Sequence, residues 1–138
     1  MARNVGVDCK KSKGMLNKSE RKFVAKTIEK ANIKHITKHA TQRSQERLIQ
    51  ITKDEFEQEM NFGNFIEVQH YEDGSVRYLF RGKHVHKGTP KGDANVVFVF
   101  VPKTGEIKSC WFNNVNDKHA TLDMSVYDED ANIFEWVK

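Results

Sequence analysis

Apolar positions recur at helical spacing through the first sixty residues and alternate after Gly63, so the chain reads as helices followed by a sheet. In LNKSERKFVAKTIEKAN, residues 16–32, Phe23, Val24, Ile28 and Ala31 share one side while lysines take the other. Asn17 and Glu20 stand at the two positions of a capping box, and together these features predict a helix over roughly 18–31. Thr37 opens a second helix with an inner stripe of Ala40, Ser44 and Leu48. Thr52 with Glu55 forms another capping box, and Phe56 and Met60 give a third helix its apolar side before Gly63 ends it.

Beyond Gly63, β-rich segments at 64–71, 76–86, 94–102 and 107–115 are separated by the turn material EDGS, KGTPKGD and KTGE. Connections this short imply antiparallel neighbours. The expected class is therefore α+β, with N-terminal helices packed on a four-stranded antiparallel sheet. The run ANVVFVFV is apolar almost throughout, as a central strand covered by helices on one side would be. Val97, Val99 and Val101, with Trp111 or Phe112, are expected to face the first helix. The tail from 116 onward carries Leu122, Met124, Val126, Phe134 and Trp136 and is expected to pack against the body. Residues 1–15 lack periodicity and read as a flexible basic arm, leaving 16–138 as a single α+β domain.

Composition narrows the class. The chain has 138 residues, of which 38% are hydrophobic, with nine Phe, two Trp and three Tyr, enough for one modest core. No apolar run approaches the roughly 20 residues that span a bilayer, and the polar start MARNVGVDCKKSKG has no apolar segment of the signal-peptide kind. A cytoplasmic protein with no membrane partner is expected. Cys9 and Cys110 form neither a spaced framework nor a zinc-type pair, so both are expected as reduced thiols, Cys110 buried, and no cofactor is implied. Charge is lopsided: residues 1–47 hold 13 Lys or Arg against 4 acids, and residues 48–138 hold 10 against 15. Such an imbalance marks either a basic portion that meets a polyanion or Lys-rich helices that are simply well solvated.

Candidate chemistry falls in four places. His39, Arg43 and Arg47 recur every four residues, which on a helix makes one slanted row. Histidine titrates near neutrality and the arginine fork grips phosphate, so the row suits acid–base work on a phosphodiester; it equally suits a solvated helix face. In VRYLFRG, Arg77, Leu79 and Arg81 share one strand face and Val76, Tyr78 and Phe80 the other. Lys10, Lys11 and Lys13 give the leader a nucleic-acid-binding character. The stretch WFNNVNDKHATLD gathers polar side chains, among them His119 and Thr121, as a second proton carrier and hydroxyl donor or as ordinary turn chemistry. His84 and His86 in HVH have a spacing that metals can use, but without a third ligand no metal site is assigned.

The segment ITKHATQRSQERLIQIT, followed by an acidic helix, a Gly and DGSVRYLFRG, resembles a family of small bacterial and phage domains often found as toxin modules. Its pattern is a His, an Arg four residues on, an Arg of an E-R pair four further, and then a hairpin with an Arg-Tyr pair. Those domains resemble in turn the metal-independent ribonuclease fold shared by barnase, RelE and several colicin and contact-inhibition toxins. The resemblance spans Ile36 to Phe112; the basic leader and the loop HKGTPKGDA depart from it. It implies an endoribonuclease-like toxin or phage effector acting on RNA, with His39, Arg43, Arg47, Arg77 and Arg81 as catalytic candidates, to which the polar stretch after the last strand adds His119 and Thr121. An immunity or host protein would then be a partner. The other readings are a non-catalytic nucleic-acid-binding module and a phage-type inhibitor of a host protein.

Overall fold

In the computed structural model, the described residues are 6–37, 51–117 and 126–136. Helix α1, Lys18–Lys30, starts where the capping box places it: Glu20 N donates to Asn17 Oδ1 and Asn17 N donates to Glu20 Oε1, both at 2.9 Å. Val24 and Ile28 are its buried apolar side chains. Helix α2, Lys53–Glu59, has one arm of its box, with Glu55 N donating to Thr52 Oγ1. The other arm is missing because the Glu55 carboxylate meets the His86 ring instead, 2.6 Å from Nε2. A 3₁₀ turn at Phe62–Asn64 follows, capped by Asn61, and a short helix α3 spans Ile133–Trp136. The helix expected from Thr37 falls at 38–50, outside the described residues; Thr37 itself donates from Oγ1 to Lys108 O.

Seven strands form one mixed sheet: β1 Val7–Ser12, β2 His35–Ile36, β3 Phe65–Tyr71, β4 Val76–Arg81, β5 His86–Thr89, β6 Gly92–Val101 and β7 Glu106–Asn114. Their order is β1-β3-β4-β6-β7-β2, with β5 also paired to β6. This corrects the expected four-stranded antiparallel sheet under N-terminal helices. The four expected strands are present, but three more join them, and β2 runs parallel to β7. The segment read as an arm supplies edge strand β1, antiparallel to β3. The stretch KGTPKGD, read as loop, holds β5 and its turn into β6.

Strand parity decides what each face carries. Val96, Phe98 and Phe100 of β6, with Tyr78, Phe80, Phe65 and Phe112, form the main core against α1 and α2. Val97 and Val99 lie on the opposite face with Leu79, beside Ile66 and Trp111. The expectation that Val97, Val99 and Trp111 would face α1 is therefore wrong by one residue of register, which in a strand inverts the face. Phe112 is on the α1 side, as expected for that alternative. β6 is buried on both faces, so its apolar run carried no parity signal. A bulge between Phe65 and Glu67 turns both Ile66 and Glu67 to the face away from α1.

Two stability predictions arise from this frame. Tyr78 lies beneath α1, 1% exposed, and burial pushes its phenol up to about 12 against a small opposing effect of the Thr27 hydroxyl. A phenol whose folded pKa exceeds the unfolded value of 10.0 stabilises the fold below that value. Stability should therefore drop as pH rises from about 10 to about 12. Tyr78→Phe should flatten that drop in urea midpoints measured across the window. At the turn between β6 and β7, Gly105 has φ +75 and its Cβ position lies 2.8 Å from Asn32 O. Its own carbonyl accepts from Lys34 N, holding the approach to β2. Gly105→Ala should cost about 1–3 kcal/mol, read as a lower urea midpoint.

Candidate functional site

The sheet face away from α1 is where the sequence put Arg77 and Arg81, and the strands bring other chemistry beside them. Successive lysines of β1 point to opposite faces, and each meets a carboxylate. Lys10 reaches Glu67, Nζ to Oε2 3.2 Å, on this face. Lys11 goes to the other, where its Nζ donates to both Glu20 oxygens, at 2.7 and 3.0 Å, and to Ala131 O at 2.7 Å.

Glu67 is 1% exposed, an unusual place for a carboxylate, and it is satisfied on every side. Gln69 Nε2 donates to Oε2 at 2.8 Å and the Tyr127 hydroxyl donates to Oε1 at 2.5 Å. The chain of contacts continues outward: Tyr71 OH donates to Gln69 Oε1, and the Arg77 guanidinium stacks on the Tyr71 ring at 3.7 Å. Arg77 also donates from Nε to Ser75 Oγ, with Asp73 4.0 Å from Nη2. Burial pushes the Tyr71 phenol above its ordinary value and Glu67 adds to this, against the lowering by Arg77. Tyr71 is therefore a proton-bearing donor at neutral pH. A carboxylate, two phenols, an ammonium and a guanidinium thus share one corner of the sheet.

An apolar band of Leu79, Val97, Val99, Ile66 and Trp111 separates this corner from the second arginine. Arg81 lies four residues from Arg77 on one strand, roughly 13 Å at strand rise, so the two cannot clamp the same phosphate. Moreover, Arg81 is occupied. Its Nε donates to Asn95 Oδ1 at 3.2 Å, Nη2 to Asn114 O at 2.9 Å and Nη1 to Asp117 O. It thereby ties β4 to the end of β7 and the turn that follows it. On the neighbouring strand, Asn113 Nδ2 is buried with no acceptor among the described residues.

The remaining sequence candidates divide plainly. His39, Arg43, Arg47, His119 and Thr121 lie outside the described residues. Lys11, expected in a nucleic-acid-binding arm, is 3% exposed and donates to three acceptors. Lys10 belongs to the Glu67 corner, and Lys13 donates to Phe62 O at 2.7 Å while lying over that ring. His84 and His86 are in edge contact at 4.6 Å between ring centroids, and His86 is spent on Glu55. No group of three or more His, Cys, Asp or Glu suited to a metal ion exists among the described residues. Neither Cys9 nor Cys110 is in a disulfide among the described residues, and Cys110 is buried. No helix among the described residues is long and apolar enough to cross a membrane.

Sequence reasoning missed Glu67, Gln69, Tyr71 and Tyr127. In FIEVQHY, alternation puts Val68 inward and Glu67 on the opposite face, taken as solvent; the bulge, which has no sequence mark here, adds Ile66 to that face, and Lys10, Gln69 and Tyr127 cover the carboxylate there. Tyr127 stands alone in a polar tail, 60 residues from the carboxylate that it meets. The chain matches no family model, no curated protein and no solved structure.

Proposed function

We propose that this protein is a metal-independent ribonuclease-type toxin or phage effector that takes RNA on the sheet face carrying Glu67 and Arg77. The observation that supports it is the corner itself: Glu67 with Lys10, Tyr127 and Gln69 on its oxygens, and Arg77 stacked on Tyr71 one strand pair away. Cleavage without a metal needs a base for the 2′-hydroxyl proton, an acid for the leaving 5′-oxygen, and cations for the charge that develops on the phosphate. Glu67 can serve as base once the Tyr127 hydroxyl swings off Oε1. Arg77 and Lys10 supply the charge, and a nucleobase can stack against the tyrosines. The acid would be His39, on the resemblance to the toxin-module family, or His119, on the polar stretch after β7. On this reading the protein acts in the cytoplasm, where its RNA lies, and its inhibitor would be an immunity or host protein covering the same face.

One observation favours a second reading, a nucleic-acid-binding module without chemistry. Glu67 is almost wholly covered and all its partners are in place, as in a carboxylate that only organises the sheet. The two readings part on one experiment. Purified protein is incubated with end-labelled RNA and EDTA, and the products are examined for 2′,3′-cyclic phosphate ends. Their appearance supports cleavage. Retarded but intact RNA at micromolar protein leaves the binding module, and neither result leaves the inhibitor reading, whose partner is then sought by pull-down.

A further inference from the structure

Three cations from three separate segments gather at or beside the turn Phe62–Asn64: Lys13 and Lys83 at the turn, Arg21 next to Lys13. Lys13, just after β1, donates from Nζ to Phe62 O at 2.7 Å and lies 4.5 Å from the centre of the Phe62 ring. Arg21, on the first turns of α1, donates from Nη2 to Lys13 O at 3.1 Å and from Nε to Leu16 O. Lys83, just after β4, has its amine 3.6 Å from the point that a Cβ on Gly63 would occupy. None of the three pairs with a carboxylate among the described residues, whereas Lys10, Lys11 and Lys53 each do. Burial first, and then the charges of Arg21 and Lys83, push the Lys13 amine below its ordinary value.

Beside the cluster lies a depression of about 350 Å³ bordered by Lys83, Asn64, Ile66, Asn95 and Arg81. Asn64 Oδ1 is buried with no hydrogen-bond partner among the described residues, while its Nδ2 donates to Glu59 O. The depression leads from the cationic turn to Arg81, and so onto the sheet face that carries Glu67 and Arg77. Like charges grouped without an ion pair among the described residues, beside a depression that reaches Arg81, fit a polymer that carries a negative charge at every unit. A single headgroup or free phosphate would fill one end only.

We propose that Lys13, Arg21 and Lys83 form a subsite for the phosphodiester backbone of a single-stranded RNA whose neighbouring nucleotides lie along the depression toward Arg81. The occupant rests on the RNA reading above; the subsite does not depend on cleavage. The test is fluorescence anisotropy of a fluorescein-labelled single-stranded RNA across a salt series, with parent, Lys83→Gln, and the triple variant Lys13→Gln, Arg21→Gln, Lys83→Gln. Each cation removed from a phosphate should flatten the slope of log affinity against log salt by about 0.7, and hence by roughly 2 in the triple variant. Lys83 donates no hydrogen bond among the described residues, so Lys83→Gln should hold or raise the thermal midpoint while flattening the slope by about 0.7. That pairing of results is not what a misfolded variant would give. A parental slope in both variants overturns the subsite, as does a parent that ignores RNA but binds vesicles of phosphatidylglycerol. Absence of cyclic-phosphate ends with a flattened slope sinks the ribonuclease reading and leaves the subsite standing.

Discussion

Lys11→Met is expected to destabilise the fold by about 3–5 kcal/mol, because it leaves the Glu20 carboxylate buried without its counter-ion. The two side chains are 4% and 2% exposed, so water cannot replace the missing ammonium. Glu20 also accepts from Asn17 N and, at 3.4 Å, from Ile133 N, so one carboxylate ties together the start of α1, strand β1 and the C-terminal segment. Guanidinium unfolding should show the destabilisation as a midpoint shift, and a shift under about 1 kcal/mol would mean that the site relaxes to admit water. The pair also predicts an acid limb. Burial alone would raise the Glu20 pKa, but the Lys11 hydrogen bonds, the backbone donors of Asn17 and Ile133 and the Lys11 charge outweigh it and hold it below 4.5. A depressed carboxylate stabilises the fold above its unfolded pKa, so stability should fall as pH drops below about 4.5. That decline should be missing from Glu20→Gln, whose stability is lower throughout.

Glu67→Gln carries the second large effect. If Glu67 takes the 2′-hydroxyl proton, the amide should lower the cleavage rate by about 10² to 10⁴-fold with RNA affinity nearly unchanged, the usual worth of a positioned base. Gln keeps the shape of the side chain, and its thermal midpoint, measured beside the rate, separates a defect in chemistry from a defect in folding. Arg77→Ala should lower affinity and rate together, because a cation beside a phosphate acts in the ground state as well as the transition state. His39→Ala should resemble Glu67→Gln if the histidine is the proton donor. Should both leave the rate at the parental level while His119→Ala abolishes it, the reacting groups belong to the segment after β7, and the Glu67 corner is scaffolding.

How much of this was legible depended on whether a signal was local. The α1 capping box needs only residues three apart, and the β3–β4 turn needs only Gly74, whose φ of +85 suits glycine. Both were readable. Strand β1 was not, since VDCKKS has no apolar alternation: its lysines are placed by carboxylates on β3 and α1. Strand β2 is two residues long, below any periodicity, and is held by β7 through Ile107. In β6 both faces are apolar, so the choice between Val97 and Phe98 as the inward residue rests on pairing partners alone. At the site, the shared face of Arg77 and Arg81 followed from alternation. That Arg81 spends its donors on Asn95, Asn114 and Asp117 followed from nothing before the fold.

The third acceptor of the Lys11 ammonium, Ala131 O, lies 120 residues further along the chain. During synthesis, β1 and α1 therefore leave the ribosome long before the residue that completes their charge cluster exists. Bringing such distant residues together costs loop-closure entropy before it returns any energy, which slows folding. A nascent chain that ends before Ala131 holds the Lys11–Glu20 pair one partner short, so refolding of chains truncated at 125 and at 136 should differ in rate as well as in stability. Completion of the Lys11–Glu20 cluster thereby waits until the chain has been made as far as Ala131, and the β1–α1 corner matures only then.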